Sequence, residues 1–196
     1  MVMTNFLQKR RTVREFAPTK LSKLEMEWLR DTLDKIEVES KDNDVSFALY
    51  EDGESVAKNL DGKAGYGGVM IKAPYYIALR AKGHEKEELI RTGYYLEKVN
   101  TALIEKNFGT CWITTIQVNQ DLKRAVFGED GEFVDYIIGF GKPEVQDVFS
   151  EDRVSPRFSV RELVFKNHLD SPADLTELEN YGLFDLFSSI RFAPSH

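Results

Sequence analysis

Apolar residues recur every three or four positions over LSKLEMEWLRDTLDKI, residues 21–36, at Leu21, Leu24, Met26, Trp28, Leu29, Leu33 and Ile36. That period predicts an amphipathic helix with Ser22 as its N-cap. A longer helix is predicted over EKEELIRTGYYLEKVNTALIEKNFG, residues 85–109, where Leu89, Leu96 and Leu103 form a seven-residue stripe with Val99 beside it and Gly109 supplies the stop. Shorter runs rich in β-branched and aromatic residues predict strands: VSFALYE at 45–51, VMIKAPYYIALRA at 69–81, CWITT at 111–115 and VDYIIGFG at 134–141. NQDLKRAVFG, 119–128, reads as a short helix capped by Asn119, and residues 4–11 as another, capped by Thr4 or Asn5, with a break at Pro18. GKPEVQDVFSEDRVSPR, 141–157, has the composition of an irregular connection.

The last segment, SPADLTELENYGLFDLFSSIRFAPSH at 171–196, predicts one strongly apolar helix through Leu175, Leu178, Leu183, Phe184, Leu186, Phe187 and Ile190. Such a face has to be covered, by this chain or by another. At a constant offset of 154 positions the segment repeats the first helix, pairing Pro18 with Pro172, Leu21 with Leu175, Leu24 with Leu178, Glu25 with Glu179, Leu29 with Leu183, Asp31 with Asp185 and Ile36 with Ile190. Duplication explains this register, and so does the leucine content that amphipathic helices share. EVES follows Ile36, whereas RFAPS follows Ile190, so the second copy holds a helix and a turn only. Two expectations follow: a natural chain that continues past His196, or an arm that completes a neighbour's structure.

A chain of 196 residues suits one well-buried core with an appendage. With 42% apolar and 30% charged residues and no apolar run of bilayer length, disorder and membrane insertion are both unexpected. The opening MVMTNFLQKRR lacks the pattern of a secretory leader, and the single cysteine, Cys111, fits a reducing cytoplasm, where the protein is expected to reside. A net charge of −7 argues against a nucleic-acid partner, whose binding draws on many cations.

Against that acidic background, QKRRTVREF at 8–16 crowds Arg10, Arg11 and Arg14 together. Arg10 and Arg14 share a side whether the segment is helical or extended, and in the extended case Thr12 joins them while Val13 points inward. Guanidinium forks suit a small anion such as one phosphate. Spacing alone leaves that reading open beside a solvated basic face balanced by carboxylates.

Other chemistry is thinly represented. His84, His168 and His196 have no metal-site spacing, so no metal is expected. Cys111 beside Trp112 reads as a small core residue, and Glu97 and Asn100 as a polar helix face. AGYGG, 64–68, lacks the lysine and the strand-to-helix setting of a phosphate loop and reads as a turn.

RRTVREF, KAPYYIAL, NFGTCWITT, DYIIGFGKP and the late APS together resemble the FMN-dependent nitroreductase superfamily, and within it a divergent, internally duplicated branch. The resemblance implies an α+β fold, a mixed and mainly antiparallel sheet flanked by helices. It implies an FMN-binding core over 1–160 and a C-terminal helical arm over 161–196, the start of a second, truncated repeat. It also implies that Arg10, Arg11, Thr12 and Arg14 hold the FMN phosphate and ribityl chain and reach the pyrimidine edge. Thr114 and Thr115 would then pass near flavin N5, Arg157 would complete the phosphate site, and Ala193, Pro194 and Ser195 would supply the APS turn. The chain departs from the family in carrying threonines where glycine or an acid-glycine pair is common, and EVES where APS usually stands.

The implied activity is two-step hydride transfer through flavin N5, from NADH or NADPH to a small nitroaromatic or quinone-like acceptor. The flavin carries the chemistry, so no catalytic side chain is required. The implied assembly is a homodimer or pseudo-dimer that shares its flavin. The alternative is a flavin- or anion-binding module of the same fold without efficient turnover.

Overall fold

The computed structural model describes residues 10–40, 45–81, 83, 85–144 and 158–191. The chain divides into two compact units, Arg11–Val145 on the one hand and Met1–Arg10 with Gln146–His196 on the other.

In the larger unit, α1 spans Lys23–Glu39 and begins where a capping box can form. The Ser22 hydroxyl accepts from the Glu25 N–H, and the Glu25 carboxylate accepts from the Ser22 N–H at 2.7 Å, so two otherwise orphaned donors are satisfied together. Strand β1 (Ser46–Tyr50) and helix α2 (Gly53–Leu60) follow, then β2 (Tyr75–Arg80), α3 (Lys86–Glu105), β3 (Gly109–Thr114), α4 (Gln120–Phe127) and β4 (Tyr136–Gly141). Short 3₁₀ turns occupy Tyr66–Gly68 and Glu129–Phe133. The strands form an antiparallel sheet in the order β1-β2-β4-β3, with Tyr75 opposite Phe140, Ile77 opposite Ile138 and Trp112 also opposite Ile138. The fold is thus α+β, its antiparallel sheet flanked by helices.

The two-residue period of the strands divides the core into two layers. Tyr75, Ile77 and Leu79 of β2 and Ile138 and Phe140 of β4 face α1 and α3, packing with Leu29, Leu33, Ile36, Leu96, Val99 and Leu103. Tyr76 and Ala78, with Cys111, Ile113 and Ile137, face the other way and pack with Val56, Ala57 and Leu60 of α2 and Phe127 of α4. At Gly139 a Cβ would sit 3.1 Å from the Ala73 Cβ, so glycine keeps the second layer close to the sheet.

Three elements differ from the sequence expectation. The 69–81 strand shrinks to Tyr75–Arg80, because the chain before it curls back. There the Tyr76 hydroxyl donates to the Ile71 carbonyl at 2.7 Å and accepts from the Ala73 N–H at 2.9 Å, while Pro74, which has no N–H, gives its carbonyl to Gly53. The long helix ends at Glu105 instead of running to Gly109, and Asn107 at φ +62 provides the left-handed residue. Leu89 is 46% exposed, whereas Leu96, Leu103 and Val99 are fully buried, so the stripe reaches the core only from the second turn onward.

In the smaller unit, α5 (Val160–Leu163), α6 (Leu175–Asn180) and α7 (Phe184–Ile190) enclose a small cluster of Val160, Ala173 and Leu178, with Val164, Phe184 and Phe187 against it. The single tail helix expected from the sequence is therefore two. Gly182 adopts φ +68 at the break, and Leu183 N–H bonds back to the Leu178 carbonyl at 2.8 Å. The repeat register places Trp28, mid-helix in α1, opposite this glycine. The cap shifts too: Asp174 caps α6 through Thr176 and Glu177, two residues ahead of the position that pairs with Ser22. Among the described residues no helix is long and apolar enough to cross a membrane.

Candidate functional site

The cationic segment is extended where it meets the sheet. Thr12 forms a parallel bridge with Thr110, and Val13 N–H donates to the Thr110 carbonyl at 2.8 Å. Further on, Ala17 N–H bonds the Lys142 carbonyl at 2.9 Å and Phe16 bridges Pro143. Residues 12–17 therefore cover groups that the edge strand β3 and the end of β4 would otherwise leave open.

Alternation along this stretch sends Val13 one way and Thr12 and Arg14 the other. Val13 lies directly on Gly109, where a Cβ would come within 2.8 Å of the Val13 Cβ, while Thr12, Arg14 and the adjacent Arg11 are exposed. No carboxylate among the described residues pairs with Arg14. A hydroxyl and an exposed guanidinium on one side of an extended strand make a donor set with the chemistry of a phosphate site. The residues present thus fit the phosphate of a flavin mononucleotide. Arg10 is half-buried and belongs to the other unit.

Strand β3 ends at the two threonines singled out from the sequence, and they differ. Thr114 is half-buried, and its carbonyl accepts from the Gly65 N–H at 2.8 Å. Thr115 is fully buried, with its hydroxyl donating to the Val134 carbonyl at 2.5 Å and its N–H to the Asp135 carbonyl at 2.8 Å. Its hydroxyl is engaged inside the protein.

Beside this exit the AGYGG turn closes tightly. Gly65, Gly67 and Gly68 all have positive φ, and a Cβ on Gly65 would fall 2.0 Å from the Val69 carbonyl oxygen. Between the turn and the start of α4 lies a cleft of about 530 Å³ lined by Lys63, Gly67, Gly68, Gln117, Asn119 and Leu122. A second depression, about 400 Å³, opens beside the N-terminus of α1. Of its three lining cations, Lys20, Lys23 and Arg30, the last two are paired with Glu27 and Glu51.

Behind the first cleft, Lys123 of α4 forms an ion pair with Asp135 at 2.9 Å, and both residues are buried. The sequence offered one signal for this pair: Lys123 stands four residues before Phe127 and so shares its inward face. The positive-φ glycines were the corresponding signal for the cleft. Elsewhere, burial pushes the Cys111 thiol above its ordinary range, only partly offset by the Arg14 charge, as suits a core residue and not a nucleophile. Among the described residues no cluster of metal-ligating side chains occurs. Arg157, Ala193, Pro194 and Ser195 lie outside the described residues.

The architecture that carries this edge segment is the nitroreductase fold. Structures similar to this chain include nitroreductase A from Vibrio parahaemolyticus, 16% identical with a TM-score of 0.62 over 92% of this chain and 81% of that one. An FMN-dependent nitroreductase from Clostridium difficile is 20% identical with a TM-score of 0.54, covering 75% and 91% respectively. A "putative nitroreductase in complex with FMN" from Desulfovibrio desulfuricans is 14% identical with a TM-score of 0.63, covering 85% and 96%. At these identities the likeness is one of fold. Residues 3–181 match the family model "Putative TM nitroreductase", and the chain belongs to that nitroreductase family. No curated protein matches the chain.

Proposed function

We propose that this protein is an FMN-dependent NAD(P)H oxidoreductase that reduces small nitroaromatic or quinone-like acceptors. The observation that carries the reading is the extended edge segment, where the exposed Arg14 guanidinium and Thr12 hydroxyl stand on one side of the chain and no carboxylate among the described residues pairs with the guanidinium. Family membership and the FMN-bound relative support the choice of cofactor. Arg14, Thr12 and Arg11 would hold the phosphate and ribityl chain, with Arg10 and Arg157 as further donors and Ala193, Pro194 and Ser195 as the APS turn. The β3 exit at Thr114 and Thr115 would border the ring near N5, Thr114 by its outward side and Thr115 through the backbone it fixes. Bound FMN would supply the hydride chemistry between reductant and acceptor.

No side-chain acid or base is needed for that role. What the chain contributes is binding, orientation and exclusion of water. Ile90 and Tyr94, four apart on α3 and 64% and 59% exposed, form an apolar face that supports a homodimer, the assembly we propose. We also retain a division into a core over 1–160 and a helical arm over 161–196.

Purified protein should show a flavin spectrum after addition of FMN. NADH or NADPH should bleach that colour without air, and a nitroaromatic or quinone should restore it. Protein that stays colourless contradicts the reading. Colour that neither nicotinamide bleaches points instead to a binding module without turnover.

A further inference from the structure

Burying a lysine and an aspartate together costs desolvation that their attraction repays only in part, so such a pair is weak evidence of stability and better evidence of a fixed register. Lys123 is 3% exposed and Asp135 8%, with the ammonium 2.9 Å from the carboxylate and 3.5 Å from the Glu132 carbonyl. The close approach depends on Gly131, where a Cβ would sit 2.5 Å from the Lys123 carbonyl oxygen. The pair thereby ties α4 to the segment entering β4.

What that segment holds in turn is the exit of β3. Asp135 accepts from the Thr115 N–H through its carbonyl at 2.8 Å, Val134 accepts from the Thr115 hydroxyl at 2.5 Å, and Thr115 accepts from the Val118 N–H at 2.9 Å. One residue earlier the Thr114 carbonyl fixes the glycine turn through Gly65. A continuous chain of bonds therefore runs from the buried pair through Thr115 to both walls of the cleft at Gly67–Gly68 and Gln117–Asn119.

We propose that Lys123 and Asp135 are positioning residues that set the Thr114–Val118 turn against the ring edge of the flavin. This inference rests on the function proposed above. Neither residue touches the ligand; each acts through the turn, as groups that orient a contacting element do.

The test compares Lys123→Met, Asp135→Asn and the double variant Lys123→Met/Asp135→Leu with the wild type. Each single change removes one partner of the buried pair and should lower the thermal midpoint, whereas the double change replaces the pair by apolar groups and should recover it. Stability and positioning then separate. In the flavin-free double variant the Thr115 and Val118 amides should exchange faster than in the wild type. Its FMN dissociation constant should rise roughly tenfold, the scale on which losing an orienting partner acts. The visible flavin band should change shape as well. A double variant with wild-type exchange, affinity and spectrum overturns the inference while leaving the function intact. Wild-type protein that takes up no FMN overturns the proposed function and this inference with it.

Discussion

Arg14 is exposed and no described carboxylate answers its charge, so truncating it should cost the fold little and an anionic ligand much. Arg14→Ala should leave unfolding free energy within about 0.5 kcal/mol of wild type. The same change should weaken FMN by about 1.5–3 kcal/mol, roughly tenfold to a hundredfold, as titration of the visible band would read. Glu25 is the opposite kind of residue, an acid engaged by the fold. Its hydrogen bond from Lys142, followed by those from Ser22, lowers its pKa from 4.5 to about 2. Its contribution is present above pH 4.5 and is lost as pH falls toward 2. The midpoint difference between wild type and Glu25→Gln should accordingly be largest near neutrality and vanish below about pH 2; a difference constant with pH would contradict that assignment. At this scale the sequence put Thr12 on the side of Arg14 only for an extended segment, and the bridge from Thr12 to Thr110 supplies that condition. The sequence could not disclose that the Thr115 hydroxyl is engaged, since its partner Val134 lies 19 residues away.

Helix α3 separates two leucines that the sequence pattern placed together. Leu103 is fully buried and Leu89 46% exposed, so Leu103→Ala should cost about 2–5 kcal/mol and Leu89→Ala about 0.5 or less, measured by denaturant unfolding. Gly109, expected to stop this helix, serves β3 instead. Gly109→Val would drive a side chain into Val13, which already stands 2.8 Å from the ideal Cβ position, and should push the 12–14 segment off the strand edge. The expected readout is loss of FMN binding in a protein that keeps its far-ultraviolet circular dichroism. Unchanged binding would show that the segment and the strand edge are independent. Elements with local signatures were legible from the sequence: the Ser22 cap, the Asn119 cap and the alternating strands. The shortened β2 was not, because the curl of 69–74 depends on the Tyr76 hydroxyl and the Pro74 carbonyl meeting partners that only the fold supplies. Nor was the break between α6 and α7, where one glycine outweighs an apolar period that continues across it.

For the molecule as a whole, an acidic chain with a local cationic edge implies selection for one small anion rather than a polyanion. The exposed Ile90 and Tyr94 face of α3 leads to an expected sedimentation mass of two chains with flavin bound. A monomer that binds FMN at full stoichiometry would contradict the shared-site arrangement. Whether the edge segment grips a phosphate is decided by comparing FMN with riboflavin, which has the same ring and no phosphate. Wild-type protein should bind FMN far more tightly than riboflavin, the gap should shrink with added salt, and Arg14→Ala should narrow it mainly by weakening FMN. Equal affinity for the two ligands in the wild type, or a gap that survives Arg14→Ala unchanged, would contradict that grip.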